Sequence, residues 1–267
     1  MPRLSAVLIT LDEELDIGRA LDALAFADEV MVVDSGSTDR TVQICQARGA
    51  RVVARPFDGF GPQKRFAVSQ AANDWVLCID ADEVVTPDLA VSIQSLLEAG
   101  EPPLPAYEFR FITHFMGRPL SHGAIARKAH VRLFDRRRAR WTDARIHESV
   151  EVDGPVGRLS GDVHHHTVRN LGEAIRKLDA YSTEAGRALH ARGRSRSALA
   201  TALTGAAHFL RHWLLRGNFL NGTPGLAFSL MLAAGSMLKY LKADELRAME
   251  RARPRHALRP RAQSAAP

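Results

Sequence analysis

The stretch "WVLCIDADE", residues 75–83, decides how the chain is read. Residues 75–79 are apolar and give way at once to Asp80, Asp82 and Glu83. An apolar run that short, rich in β-formers, reads as a buried strand. In parallel α/β sheets, ligands bind beyond the carboxyl ends of the strands, which is where these carboxylates fall. Asp80 and Asp82, one residue apart in an irregular turn, can converge on one divalent cation through hard oxygen ligands. Acidic turns also cap helices, so the pair alone leaves a purely structural role open.

Outward from this stretch the pattern alternates. Residues 4–10 read as a first strand, 29–33 as a second and 51–54 as a short third. Between them, Leu15, Ile17, Ala20, Leu21 and Leu24 recur near helical spacing, and 41–48, 65–72 and 89–97 also read as helices. "FDGFGPQKR", 57–65, reads as a Gly/Pro loop. Strands alternating with helices predict an α/β fold with a mostly parallel central sheet flanked by helices. Asp12 with Glu13, and Asp34, then fall at strand ends on the same edge as Asp80 and Asp82.

"EPPLP", 101–105, breaks the pattern, and 107–111 and 131–134 read as strands of an antiparallel piece. From residue 170 the chain turns helical. Leu171, Ile175, Leu178, Tyr181, Ala185 and Leu189 form one stripe, followed by helices over 199–215 and 226–241. The expected organisation is a first domain over 1–168, a helical C-terminal extension over 169–246, and a disordered basic tail over 247–267, rich in Arg, Pro and Ala.

The 267 residues are 46% hydrophobic and 25% charged, with a net charge of +6. That composition is globular, and its excess of Arg suits a partner carrying phosphates or simply an Arg-rich surface. The two cysteines, Cys45 and Cys78, form no CxxC pair, which excludes a thiolate metal site and suits a reducing, cytoplasmic setting. "MPRLSAVLIT" is too short in its apolar part for a signal peptide, and no run of 18 apolar residues is present. No GxGxxG or Walker-type loop follows the first strand, which argues against dehydrogenases and P-loop enzymes. Asp34, in "VVDSGSTDRT", can accept a hydrogen bond from a base or ribose, or hold a turn in which Ser37 or Thr38 caps the next helix.

"LSAVLITLDEE", "VMVVDSGSTDRTVQICQ", "GPQKRFAVSQAANDWVLCIDADE" and "RIHESV" together resemble glycosyltransferase family two, with its GT-A fold. More narrowly they resemble the bacterial lipopolysaccharide-core β-1,4-glucosyltransferase subgroup. The resemblance implies an inverting enzyme that uses a nucleotide-diphosphate sugar, most readily a UDP-sugar and by family suggestion glucose, with Mg²⁺ or Mn²⁺. It implies that Asp12, Glu13 and Asp34 contact the nucleoside, although Asp12 replaces the commoner Asn. It places basic Lys64 near the nucleotide, and Asp80 and Asp82 on the metal and diphosphate. Glu148, beside His147, is the implied base that deprotonates the acceptor, with Asp143 as a substitute.

In "DVHHHTVRN", strand alternation puts His164 and His166 on one face and His165 on the other. His166, or His164 on the same face, is the expected further metal ligand, and plain loop polarity is the alternative. The segment 127–145 carries eight basic residues against two acidic ones, a grip on phosphates or a solvated hairpin. The few aromatics and the lack of a known motif exclude nucleic acid as a partner. Helix 199–215 sets Arg211, His212 and Arg216 beside Phe209, Leu210, Trp213 and Leu214, and 226–241 is apolar on most sides. These helices suggest peripheral contact with an anionic membrane, on the cytoplasmic face of the inner membrane, where a glycolipid or lipopolysaccharide-core acceptor would lie. The alternatives are a glycosyltransferase acting on a polyprenyl phosphate, a sugar nucleotidyltransferase, and a non-catalytic nucleotide-binding protein.

Overall fold

The structure is a computed structural model that describes residues 1–145 and 148–252, apart from the Arg127 side chain. The chain divides into two compact units, Met1–Arg169 and the remainder from Asn170.

The first unit begins as the alternation predicts. Its early elements are β1 (Leu4–Thr10), α1 (Ile17–Asp22), β2 (Glu29–Asp34), α2 (Thr41–Ala47) and β3 (Arg51–Ala54). They are followed by α3 (Phe60–Gln70), β4 (Trp75–Cys78), β5 (Glu83–Val85) and α4 (Pro87–Glu98). Beyond the proline break come β6 (Ala106–Phe115), β7 (Arg118–Pro119), β8 (Ala129–Asp135), β9 (Ala139–Trp141), β10 (Val150–Val152) and β11 (Val156–Val168). One sheet runs in the order β3-β2-β1-β4-β8-β6-β11-β5, with β7 on the side of β6, and β9 pairs with β10 apart from it. The first four strands in that order are parallel. From β4 onward the pairings are antiparallel except for β6 with β11, so the continuous parallel part is one half of the sheet.

Period-two alternation on the strands builds two apolar layers. Leu4, Ala6 and Leu8 of β1 pack with Ile17, Leu21, Cys45, Leu89 and Ile93, which brings α1, α2 and α4 to one face. Val7, Met31, Val33 and Cys78 pack with Ala67, Val68, Phe134 and Trp141, which brings α3 to the other. The expected loop 57–65 is in fact the start of α3, which begins at Phe60. Pro62 falls at its third residue, inside the first turn, where its missing N–H would be unpaired anyway. α4 starts as its sequence suggests, with the Thr86 hydroxyl accepting from the Leu89 N–H and Pro87 at the first helical position.

The second unit contains α5 (Leu171–Ala191), α6 (Ala198–Leu210) and α7 (Gly222–Ala252). A π turn, Arg211–Leu215, and a 3₁₀ turn, Asn218–Asn221, join the last two. α7 is almost twice the predicted 226–241 span, because it opens on the Gly222–Gly225 stretch that reads as a turn and continues through charged residues after Leu241. The expected tail boundary at 247 is therefore corrected: residues 247–252 are the last turns of α7, and 253–267 lie outside the described residues. Residues 218–252 are also long and apolar enough to cross a membrane by length and composition alone, which the 16-residue reading did not foresee.

Candidate active site

The site is assembled where β4 ends. Ile79 is fully buried and the next residue, Asp80, turns its carboxylate to a half-open edge. The turn is pinned by a reciprocal pair: the Asp80 N–H donates to Glu83 Oε2 at 2.8 Å, and the Glu83 N–H donates to the Asp80 carbonyl at 3.0 Å. Glu83 is only 1% exposed, so its other oxygen needs an internal partner. Arg132, from β8, supplies it: Nη2 lies 3.2 Å from Glu83 Oε1 and 3.3 Å from Asp80 Oδ2. The Arg132 guanidinium also lies over the rings of Trp141 and Phe111.

Lys64, from α3, is buried and completes the group. Its Nζ lies 3.0 Å from Asp80 Oδ1 and 2.8 Å from Glu148 Oε1, and 4.7 Å from the centre of the Trp141 ring. This lysine thus joins the implied base to the strand-end carboxylate across 68 residues of chain. The approach of α3 to the segment before Glu148 requires a glycine. The Gly61 N–H donates to the Ala144 carbonyl at 3.1 Å, and a Cβ there would lie 2.2 Å from the Thr142 carbonyl oxygen. His147 lies outside the described residues, and Asp143 is an exposed residue paired with Arg65 at 2.5 Å.

Charge follows from this packing. Burial works to raise the Asp80 carboxyl, but the Lys64 and Arg132 cations outweigh it and hold the group well below the usual carboxylate range. Burial carries the Glu83 carboxyl the other way, above its usual range, against the pull of Arg132. Burial disfavours the Arg132 cation, yet Glu83 and Asp80 together raise its pKa above normal.

The second aspartate has a different neighbour. Asp82 Oδ2 lies 3.3 Å from His165 Nε2, and the Asp82 carbonyl accepts from the His166 backbone N–H at 2.8 Å. Alternation along β11 is as expected, but it turns His165 toward the carboxylates, beside Glu83 of β5. His166 packs instead with His114, ring centres 4.4 Å apart, and His114 Nε2 lies 2.7 Å from His164 Nδ1. The histidine beside Asp82 is thus His165, while the expected His166 and His164 lie on the strand's other face. Burial of the His165 ring lowers its pKa, but the hydrogen bond and charge of Asp82 prevail and raise it. Among the described residues no three His, Cys, Asp or Glu side chains already converge as a metal cluster. The Asp82 carboxylate fits Mg²⁺ or Mn²⁺ in donor type, the His165 imidazole suits Mn²⁺ rather than Mg²⁺, and both keep a partly open face.

At the neighbouring strand ends, Asp34 and Asp12 serve the loops. Asp34 is buried and accepts from the Gly36 and Ser37 N–H groups at 2.9 and 3.0 Å and from the Ser37 hydroxyl at 2.5 Å. These bonds hold the turn, while α2 is entered through Asp39, which accepts from the Thr41 N–H, rather than through a Ser37 or Thr38 cap. Asp12 has φ +53°, a left-handed conformation that Asn and Asp tolerate best, and its Oδ1 accepts from the Thr38 N–H at 2.7 Å. That accounts for an Asp standing where the resembled pattern has Asn. The Glu13 N–H donates to the Thr41 hydroxyl at 2.8 Å, tying the two loops together.

The basic segment divides likewise. Arg136 donates to the Ala71 carbonyl at 2.6 Å and Arg137 pairs with Asp135 at 2.7 Å, so these residues clamp the sheet's edge. Arg132 and Glu83 carried no individual role in the sequence reading. The available signal was a charged residue inside the apolar run "VRLF", which burial forces to find a partner.

A family model described as "Glycosyl transferase family 2" matches residues 5–144. An uncharacterised glycosyltransferase of Rickettsia typhi is 31% identical over 92% of this chain and 88% of its own. A lipopolysaccharide core biosynthesis glycosyltransferase, LpsC, of Rhizobium meliloti is 27% identical over 97% of this chain and 94% of its own. Among solved structures, glucosyl-3-phosphoglycerate synthase of Mycobacterium tuberculosis, with Mg²⁺ and uridine diphosphate, is 30% identical with a TM-score of 0.35. That match spans 41% of this chain and 44% of the solved one, and a match to Staphylococcus aureus TarS spans 42% and 36%, at 23% identity and a TM-score of 0.35. The fold is of the GT-A class, in keeping with the family match and the chain's mixed α/β sheet. The chain is a member of glycosyl transferase family 2.

Proposed function

We propose that the protein is an inverting, metal-dependent glycosyltransferase that moves a sugar from a nucleotide-diphosphate donor to a glycolipid or lipopolysaccharide-core acceptor. The observation that carries this reading is Lys64, which binds Asp80 and Glu148 at once and so gathers the residues of donor and acceptor chemistry. Glu148 is the base that takes the acceptor proton as the new bond forms. Asp82, with His165 and Asp80, would hold Mg²⁺ or Mn²⁺, which when bound neutralises the diphosphate leaving group. Asp12, Glu13 and Asp34 shape the two loops over which the nucleoside lies, and a UDP-sugar, with glucose first among candidates, is the donor. The acceptor class follows the named activity of the Rhizobium relative, and an acceptor built on lipid puts the enzyme at the cytoplasmic face of the inner membrane.

Thermal-shift titration with UDP, GDP, ADP and CMP, each with and without Mn²⁺, tests the donor site, since a ligand of the native state raises Tm by mass action. One nucleotide should give a metal-dependent shift that Asp82→Ala abolishes; equal shifts in wild type and Asp82→Ala would overturn the metal assignment. In turnover, Glu148→Gln should lower kcat about 10²- to 10⁴-fold, the usual contribution of a positioned base. Near-normal turnover in that variant would favour an acceptor already ionised, such as a polyprenyl phosphate.

A further inference from the structure

The second unit is packed with its large apolar side chains outward. The buried positions of α6 are Thr201 and Gly205, and those of α7 are Pro224, Gly225, Ser229, Ala233, Ser236 and Ala243. A Cβ on Gly205 would lie 2.0 Å from Met237 Sδ, so these two helices meet through small residues at close range. Among the described residues, neither of the two buried apolar cores contains a residue beyond Val163. Meanwhile Leu203, Leu210, Leu214, Leu215, Phe219 and Leu220 are exposed, Leu215 by 85%. Residues 203, 210 and 214 share one helical face, and the π and 3₁₀ turns continue it toward α7. Water-facing helices show the reverse arrangement, and small-residue seams with outward leucines are what helices adopt beside lipid.

Charge selects the occupant. Residues 185–243 contain no Asp or Glu but eight Arg or Lys. Arg211 and Arg216, both exposed, flank the apolar patch. A second copy is a poor match, because a two-fold interface would bring like charges together with no carboxylate in the segment to pair them.

We infer that the elbow between α6 and α7 docks on an anionic bilayer surface, with Leu214, Leu215, Phe219 and Leu220 entering the headgroup boundary and Arg211 and Arg216 meeting lipid phosphates. This deepens the membrane part of the proposed function and shares none of its donor-site argument, so sugar transfer and docking fail separately.

The test is co-sedimentation of the full chain with phosphatidylcholine vesicles, with and without phosphatidylglycerol, at low and high salt. Wild type should bind the anionic vesicles and be released by salt. Arg211→Gln with Arg216→Gln should weaken binding on the order of 30-fold, at about one tenfold step per 1.4 kcal/mol and roughly 1 kcal/mol per cation. Leu215→Ser with Phe219→Ser should also weaken it, with helix content and Tm unchanged because both side chains are exposed. Absence of binding, equal binding to neutral vesicles, or a dimer that Leu215→Ser dissociates would each overturn the inference. So would retention in membranes through an alkaline carbonate wash, which would mean that α7 crosses the bilayer.

Discussion

Replacing Arg132 with Met should cost the protein a large part of its stability. Met keeps an aliphatic stem of similar length and removes the guanidinium, with its charge and its place over the Trp141 and Phe111 rings. What it leaves is Glu83, 1% exposed, whose Oε1 has lost the Nη2 donor at 3.2 Å. Breaking a buried pair by deleting one partner typically costs about 3–5 kcal/mol, because the remaining charge is uncompensated. Against a total stability of about 5–15 kcal/mol, that is enough to shift a urea midpoint strongly.

The pH dependence separates this cause from lost packing. Burial already raises the Glu83 carboxyl, and Arg132 is the main influence lowering it. Without Arg132 the folded-state pKa rises further above the unfolded value. A carboxyl with a raised folded pKa favours the native state while protonated, so the variant is least destabilised at acidic pH and loses stability as pH rises through the folded pKa. Urea denaturation of wild type and Arg132→Met at pH 5 and pH 8 should show the larger gap at pH 8. Adding Glu83→Gln, which keeps an acceptor for the Asp80 N–H, should recover most of that gap. A loss under about 1 kcal/mol, or an equal loss at both pH values with no recovery in the double variant, would refute the buried-pair account.

Asp12→Asn should leave Tm near wild type, because Asn tolerates φ +53° and its Oδ1 can still accept from the Thr38 N–H, whereas Asp12→Ala should lose about 1–2 kcal/mol; equal melting curves for the two variants would contradict this. Burial lowers the His114 ring to about 4, helped by His166 and His164, so this histidine folds neutral. Its stabilising contribution is present above an unfolded pKa near 6.5 and is lost as pH falls toward about 4, so Tm should drop over that window and His114→Gln should flatten the drop. An unchanged slope in His114→Gln would remove His114 as its source.

What the sequence made legible followed from periodicity. The strands β1 to β4 and their parallel order were readable because each is a short apolar run with turn residues after it, and the carboxylates were readable because they end those runs. α3 was misjudged at its start because Gly59, Gly61 and Pro62 signal a loop locally. The reason for Gly61 lies in the segment before Glu148, more than 80 positions away, where its missing side chain admits two backbone carbonyls. His165 shows the same limit. Alternation correctly separated it from His164 and His166, but which face meets Asp82 depends on how β11 pairs with β5, and no local pattern carries that. Arg132 was hidden among eight basic residues, four of which, Arg136, Arg137, Arg138 and Arg140, pair near the surface, and its position on an inward strand face distinguished it.

The charges of the site also bear on how it could work. Lys64 and Arg132 bring two cations to Asp80, Glu83 and Glu148, so the carboxylates are largely paired before any ligand arrives. Under the proposed function, a diphosphate entering here adds negative charge beside a lysine already shared by two carboxylates. Each contact that Lys64 gives to the diphosphate is one it withdraws from Asp80 or Glu148. Withdrawal from Asp80 would leave that carboxylate free to help Asp82 hold a divalent cation, and withdrawal from Glu148 would free an oxygen to accept a proton. On that reading a shared lysine would couple occupancy of the donor site to readiness of the base through one buried side chain on a flexible stem. Glu83 holds the Asp80 backbone by the 2.8 Å hydrogen bond, and Arg132, 3.3 Å from Asp80 Oδ2, keeps one cation on that carboxylate throughout.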